Sequence, residues 1–328
     1  VKREAVQVTP ISRKTPPVGG KQLRRPRKAF SRNETFGLDL DDDIEIIGFE
    51  QPTEHTPELD PGYVFPEAAT RVALLGLING DRVLITGHTG TGKTSLWEQV
   101  AARLNYSAIK ISFEGGITRN DIVGEWIVKG DQMVFQEGIL PFALTLPGTI
   151  IILDEWDTIN PDVSFCIQRV LQRDDGKMML LEDGGRLVKL HRDNVIVATA
   201  NTIGQGDDTG LYAAGTRIQN YAQLNRFTLT IQLSWLPPSK EREMVSKKFP
   251  DMKVDEIEAF VVTVNAVRDG FTNGQLSVPL STRDLLNWVE KYTLIGDPNI
   301  SALYSFLNRM TKQDAAVAEE IIQRCFDK

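Results

Sequence analysis

The stretch Gly87-His88-Thr89-Gly90-Thr91-Gly92-Lys93-Thr94 fits the pattern G-x-x-x-x-G-K-[ST]. An apolar run, Val83-Leu84-Ile85-Thr86, precedes it and the amphipathic run Ser95-Leu96-Trp97-Glu98-Gln99-Val100 follows, which is the strand and helix that such a loop requires. The glycines let the backbone bend so that successive N–H groups and the start of the helix face an anion. Lys93 then offsets charge on the β- and γ-phosphates of a nucleoside triphosphate, and the Thr94 hydroxyl is a ligand for Mg²⁺. The expected cradle is Gly87, His88, Thr89, Gly90, Thr91, Gly92, Lys93, Thr94 and Ser95.

About 60 residues on, the apolar run Thr149-Ile150-Ile151-Ile152-Leu153 ends in Asp154-Glu155. Two carboxylates at the end of a buried strand are costly unless they emerge beside a cation at the strand's C-terminal edge. Asp154 suits the coordination shell of Mg²⁺, and Glu155 suits the orientation and polarisation of an attacking water. A third apolar run, Val195-Ile196-Val197-Ala198-Thr199-Ala200, ends in Asn201. Its amide is placed to hydrogen-bond that water or the γ-phosphate, although an Asn at a strand end also starts ordinary turns.

These residues need a scaffold that delivers strand ends to one edge. From residue 61 onward, short apolar runs alternate with amphipathic stretches, which predicts a parallel sheet covered by helices on both faces, an α/β core. Two segments break this rhythm with turns at Lys129-Gly130-Asp131 and Asp183-Gly184-Gly185, and they read as β-hairpins inserted into the core. Beyond Trp235-Leu236-Pro237-Pro238 the pattern is helical only. One of these helices opens on a capping box, Ser281 with Asp284, and carries Leu285, Trp288, Val289 and Tyr292 on one face. The expected division is a basic arm (1–34), an acidic linker (35–60), the α/β core (61–236) and a helical lid (237–328).

Charge is segregated within a net balance of −7: residues 1–32 hold ten Lys/Arg and one Glu, and residues 33–60 hold ten Asp/Glu and no Lys/Arg. A basic, proline-rich arm suits an interaction tail or a solvated tail, and Asp41, Asp42, Asp43 and Glu45 read as part of a solvated linker rather than a cation site. No apolar run approaches the ~18 residues of a membrane span, and the basic, proline-rich start leaves no secretory h-region. A cytoplasmic location with no membrane contact is therefore expected. Cys166 and Cys325, with only His55, His88 and His191 to join them, form neither a zinc spacing nor a disulfide framework, and both are expected to be buried small hydrophobes.

Taken together, these motifs resemble AAA+ ATPases, and the two hairpins resemble the insertions of the MoxR branch. More narrowly, "TFGLDL", "GHTGTGKT", "EQVAARLN", "GILPFAL", "PDVSFCIQRVL", "ATANTIGQGDDTGLY" and "RCFD" resemble the ATPase subunits of aerobic cobaltochelatases over residues 35–328. The resemblance implies ATP and Mg²⁺, a ring that is commonly a hexamer, and nucleotide held between neighbouring subunits. It implies an arginine supplied in trans, with Arg226 at the matching position and Arg217 as its rival, and a second arginine on the lid, Arg283, that closes onto the phosphates. Asn225 departs from the acidic residue the family usually has before the finger. The implied partners are a von Willebrand factor A-type (CobT-like) adaptor and a large tetrapyrrole-binding subunit, for cobalt insertion. A motor repurposed for another protein client is the alternative. A nucleic-acid-binding ring is disfavoured, because the hairpin tips are not basic and the net charge is negative.

Overall fold

The computed structural model describes residues 24–113, 116–173, 176–204, 211–212 and 215–326. The chain enters through an antiparallel ribbon, β1 (Arg27–Ser31) with β2 (Glu45–Phe49), joined through the short helix α1 (Arg32–Phe36). The core follows as α2 (Glu67–Asn79), β3 (Val83–Thr86), α3 (Lys93–Leu104), β4 (Ser107–Ser112) and α4 (Arg119–Val123). The first hairpin is β5 (Gly124–Lys129) with β6 (Gln132–Glu137), and the chain returns through α5 (Ile139–Thr145), β7 (Thr149–Asp154) and α6 (Pro161–Gln168). The second hairpin, β8 (Lys177–Leu180) with β9 (Arg186–Lys189), precedes β10 (Val195–Ala200), α7 (Tyr221–Leu224) and β11 (Leu229–Gln232). Five helices complete the chain: α8 (Pro238–Lys248), α9 (Val254–Thr272), α10 (Thr282–Ile295), α11 (Pro298–Ser305) and α12 (Lys312–Phe326).

The central sheet is wholly parallel in the order β11-β3-β10-β7-β4. Every residue of β3 and β10 is buried, which is why both read as unbroken apolar runs instead of alternating ones. One face of the sheet packs on α2 and α3 through Leu74, Leu96, Trp97 and Val100; the other packs on α5 and α6 through Leu140, Leu144, Val163 and Ile167. The C-terminal helices have a separate core around Phe260, Trp288, Phe306 and Ile322. In α10 the Ser281 hydroxyl accepts the Asp284 N–H, the Asp284 carboxylate accepts the Ser281 N–H, and Leu285, Trp288 and Val289 are buried. Cys166 and Cys325 are half-buried, each packed against one of these cores. Among the described residues no helix is long and apolar enough to cross a membrane, and no group of three His, Cys, Asp or Glu side chains is set to hold a metal ion.

The reading of a basic arm to residue 34 followed by a solvated acidic linker is corrected at its inner part. Residues 1–23 lie outside the described residues, but Phe36, Leu38, Ile46 and Phe49 are buried in the same core as α2 and α3. Asp41, Asp42, Asp43 and Glu45 are exposed, as a solvated segment requires, but some of the nearby charges hold the ribbon. The Arg25 guanidinium donates to the carbonyls of Gln51 (2.7 Å) and Asn105 (2.6 Å) and lies over the Phe49 ring. Asp43 accepts from the Ser31 hydroxyl and the Asn33 N–H, and these bonds lower its pKa. Gly48 admits a close approach, since a Cβ there would lie 2.4 Å from the Leu104 carbonyl oxygen.

Candidate nucleotide-binding site

Parallel register places the ends of β3, β10 and β7 side by side: Ala200 pairs with Thr86, and Ala198 with Leu153. Gly87, Asn201 and Asp154 therefore leave the sheet at one edge, at the switch between helices on opposite faces, where α/β sheets bind ligands. The cleft there is lined by Thr89, Gly90, Gly92, Lys93, Thr94, Ser95, Asp154, Glu155, Asn201 and Arg283, together with Thr199 and Ala200. A larger cavity opens beneath the ribbon, among Arg27, Phe49, Leu77, Tyr106 and Arg192, and gathers none of the expected site residues.

Lys93 is 8% exposed, and its ammonium donates to the carbonyls of Gly87 (2.7 Å) and His88 (2.9 Å) and to Asn201 Oδ1 (2.8 Å). Burial pushes its pKa down to about 8 against the opposing pull of Asp157, Asp154 and Glu155, while Arg283 lowers it further. The Thr94 hydroxyl donates to Asp154 Oδ1 (2.8 Å), which also accepts from the Thr199 hydroxyl. A hydroxyl and a carboxylate in contact at the head of a helix form a hard-oxygen donor pair that fits Mg²⁺. Glu155 adopts a left-handed backbone (φ 58°, ψ 44°), a costly conformation for a non-glycine residue and one found at functional turns.

The cradle residues differ in what they do. Gly92 (φ +91°) turns the loop into α3, and Thr91 is buried with its hydroxyl on the His88 carbonyl. His88 does not line the cleft; its ring stacks on Trp235 at 5.3 Å. Gly87 faces Leu233, where a Cβ would lie 2.1 Å from the carbonyl oxygen. At Gly90 (φ +73°) a Cβ would lie 2.4 Å from Ser281 Cβ, because the first turn of α10 rests directly on the loop. This contact brings Arg283 into the cleft.

Arg226 is not among the lining residues. It sits at the far end of β11, whose last residue, Gln232, pairs with Thr86 beside the loop. At a rise of ~3.3 Å per residue the four residues of β11 alone span ~10 Å, which already exceeds the reach of an arginine side chain. Its Nη1 donates to the Ala222 carbonyl (2.6 Å). Arg217 is exposed, with its N–H on the Asp157 carbonyl (2.8 Å), and Asn225 caps the C-terminus of α7. Residues 205–210 of the segment after Asn201, and Asp327 of "RCFD", lie outside the described residues.

Two site residues escaped the sequence reading. Thr199 is a polar residue inside an apolar strand, which was a usable signal. Asp157 is 1% exposed, and its Oδ2 accepts the N–H groups of Asn201 (3.0 Å) and Thr202 (2.9 Å) and the Thr202 hydroxyl (3.0 Å). Its signal was a third carboxylate in the run Asp154-Glu155-Trp156-Asp157, directly after a tryptophan.

Residues 82–217 match the family of AAA domains of the dynein-related subfamily. Over 309 residues the chain is 35% identical to the aerobic cobaltochelatase subunit CobS of a Sinorhizobium species, covering 92% of this chain and 91% of that protein. It is 26% identical over 238 residues to the putative chaperone BssE of Thauera aromatica, covering 71% of this chain and 78% of that one. Among solved structures, the Thermotoga maritima RuvB Holliday junction branch migration motor aligns with a TM-score of 0.46 at 14% identity, over 81% of this chain and 72% of that one.

Proposed function

The chain belongs to the CobS family of AAA+ ATPases in the MoxR branch, and from that premise we propose that it is the ring-forming motor of a cobalt-inserting chelatase. Its partners in this reading are a von Willebrand factor A-type adaptor and a large subunit that holds the tetrapyrrole. The observation that carries the ring is the separation of Arg226 from a cleft that already gathers Lys93, Thr94, Asp154, Glu155, Asn201 and Arg283. An arginine that cannot reach its own site, yet matches the finger position of the family, serves the neighbour's site. For the client, the support is likeness to CobS along nearly the whole chain.

Before ATP arrives, Lys93 is held by two loop carbonyls and Asn201. A triphosphate replaces Asn201 as the lysine's partner, and its negative charge holds the ammonium protonated despite burial. The Asn201 amide is then available to the attacking water. Thr94 and Asp154 would hold Mg²⁺, which would supply neutralisation of phosphate charge. Glu155 polarises the water, Arg283 closes from the lid, and Arg226 of the adjacent protomer stabilises charge that develops on the γ-phosphate. Cycles of closure move the paired hairpins against the partner.

Likeness to a putative chaperone favours a second reading, in which the same motor remodels a different protein client. Reconstitution separates the two. The chain, the adaptor and the large subunit from the same cell, supplied with ATP, are assayed for cobalt insertion into a tetrapyrrole. Insertion that stops with Glu155→Gln supports the chelatase. ATP turnover with all three present and no metal inserted favours the other client.

A further inference from the structure

The chain after β7 links two places that the chemistry keeps apart. Asp157 holds the turn of Asn201 and Thr202 through its carboxylate, while its backbone carbonyl accepts the Arg217 N–H (2.8 Å) and Gln219 Nε2 (3.3 Å). Further along, the buried Ser164 hydroxyl accepts from Nε2 of the buried Gln223 (2.8 Å). With the Gln168 amide oriented so that its oxygen meets the guanidinium, that oxygen accepts from Arg226 Nη1 (3.1 Å) and Nη2 (3.2 Å). Residues 217–226 therefore lie strapped along residues 157–168.

That support is stiff. Trp156, Val163 and Ile167 are almost wholly buried in the core, and Pro161 fixes the first turn of α6. We propose that residues 157–168 form a bar that carries the nucleotide state felt by Asn201 to the Arg226 which the same protomer offers to its neighbour, with Asp157 and Gln223 as positioning residues at its two ends. The inference rests on the reading that Arg226 acts across the interface. Asn201 gives up Lys93 to the triphosphate when ATP binds and turns to the attacking water. Its turn stays clamped to Asp157, so a displacement there moves the bar, and the strap of 217–226 moves with it.

The test mixes parent subunits with Glu155→Gln subunits, which retain ATP. In a coupled ring, an active site needs both its own Glu155 and a neighbour that is not locked, so an equal mixture keeps about a quarter of parent turnover; independent sites keep about half. The series is repeated with both subunit types carrying Asp157→Ala, which removes the one oxygen that three donors share, or Gln223→Ala, which cuts the strap outside the cleft. Each change is expected to raise the equal mixture from about a quarter to about half while ATP Kd stays within about threefold. A merely structural role lowers turnover of the pure variant and leaves the shape of the mixing curve as it was. Gln223→Ala carries the test if Asp157→Ala fails to fold. The bar is overturned if the curve of either folded variant superimposes on the parent curve, or if the parent curve itself is proportional. Complementation of Arg226→Ala by Lys93→Ala subunits, which keep Arg226 and hold no ATP and so are not locked, checks the underlying reading separately: recovery with unmoved mixing curves rejects the bar alone, and no recovery rejects the arginine's role across the interface.

Discussion

The nucleotide cleft and the paired hairpins satisfy their side chains in opposite ways. In the cleft, buried polar groups meet one another: Lys93 has three acceptors, and Asp154 accepts from Thr94 and Thr199. On the hairpins, Val128 is 74% exposed, Met133 65% and Leu181 68%. The two hairpins are joined to each other by the Trp126 indole on the Glu182 carbonyl (2.8 Å) and by Arg186 with Glu137, and Arg119 of α4 bridges to Glu182. A buried polar network is specified by its own members, because each unmet group is costly. A surface of exposed apolar side chains is completed only by something else. The cleft's polar groups are thus met by one another, whereas the apolar side chains at the hairpins stay exposed.

Several changes would break or sharpen this contrast, and the largest effect is expected at Lys93. Lys93→Ala removes the buried ammonium and is expected to weaken ATP binding by about a hundredfold or more in equilibrium titration. Glu155→Gln should lower kcat by about 100- to 1000-fold with ATP Kd within about threefold. Turnover at the parent rate would remove Glu155 from its role. Gly90→Ala places a methyl group against Ser281 at a positive φ, so the lid is held off the loop, and kcat/KM is expected to fall by about tenfold. Unchanged kinetics would mean that closure of α10 on the loop is not needed.

Smaller effects follow from pH and from the hairpins. Only the ammonium form of Lys93 binds phosphate, and its pKa lies at about 8, so ATP affinity is expected to decline as pH rises from 7 to 9, by up to about tenfold. The stability effect has the opposite sign: between about 8 and the ordinary lysine value of 10.5 the unfolded chain binds more protons, so this site's contribution to folding rises with pH. Val128→Ser with Met133→Ser should leave basal ATPase within about twofold, since both side chains are exposed and outside the cleft. Any stimulation by the adaptor should disappear. Persistent stimulation would place partner contact elsewhere.

The parts legible in the sequence were those with a period or a fixed spacing. All five core strands, both hairpins and the helical C-terminal region followed from apolar runs, turn residues and a capping box, because each is decided by neighbours along the chain. The ribbon was not legible. β1 is short and mostly exposed, and the burial of Ile46 and Phe49 depends on α2 and α3, so local charge gave the wrong answer. Asp157 was missed for a similar reason: its donors lie 44 and 45 positions away. Arg283 and Arg226 came from family likeness alone. The fold brings the first into the cleft and leaves the second outside it.

The central claim is that cleavage occurs between two protomers, and mixed rings test it most directly. Arg226→Ala and Lys93→Ala subunits, each inactive alone, are combined, co-assembly is verified, and phosphate release is measured. An Arg226→Ala protomer keeps its own Lys93 and Glu155 and borrows the intact arginine of a Lys93→Ala neighbour, which holds no ATP and is not locked, so turnover should reappear at about a quarter of the parent rate in an equal mixture. Confirmed mixed rings that release no phosphate would contradict the claim.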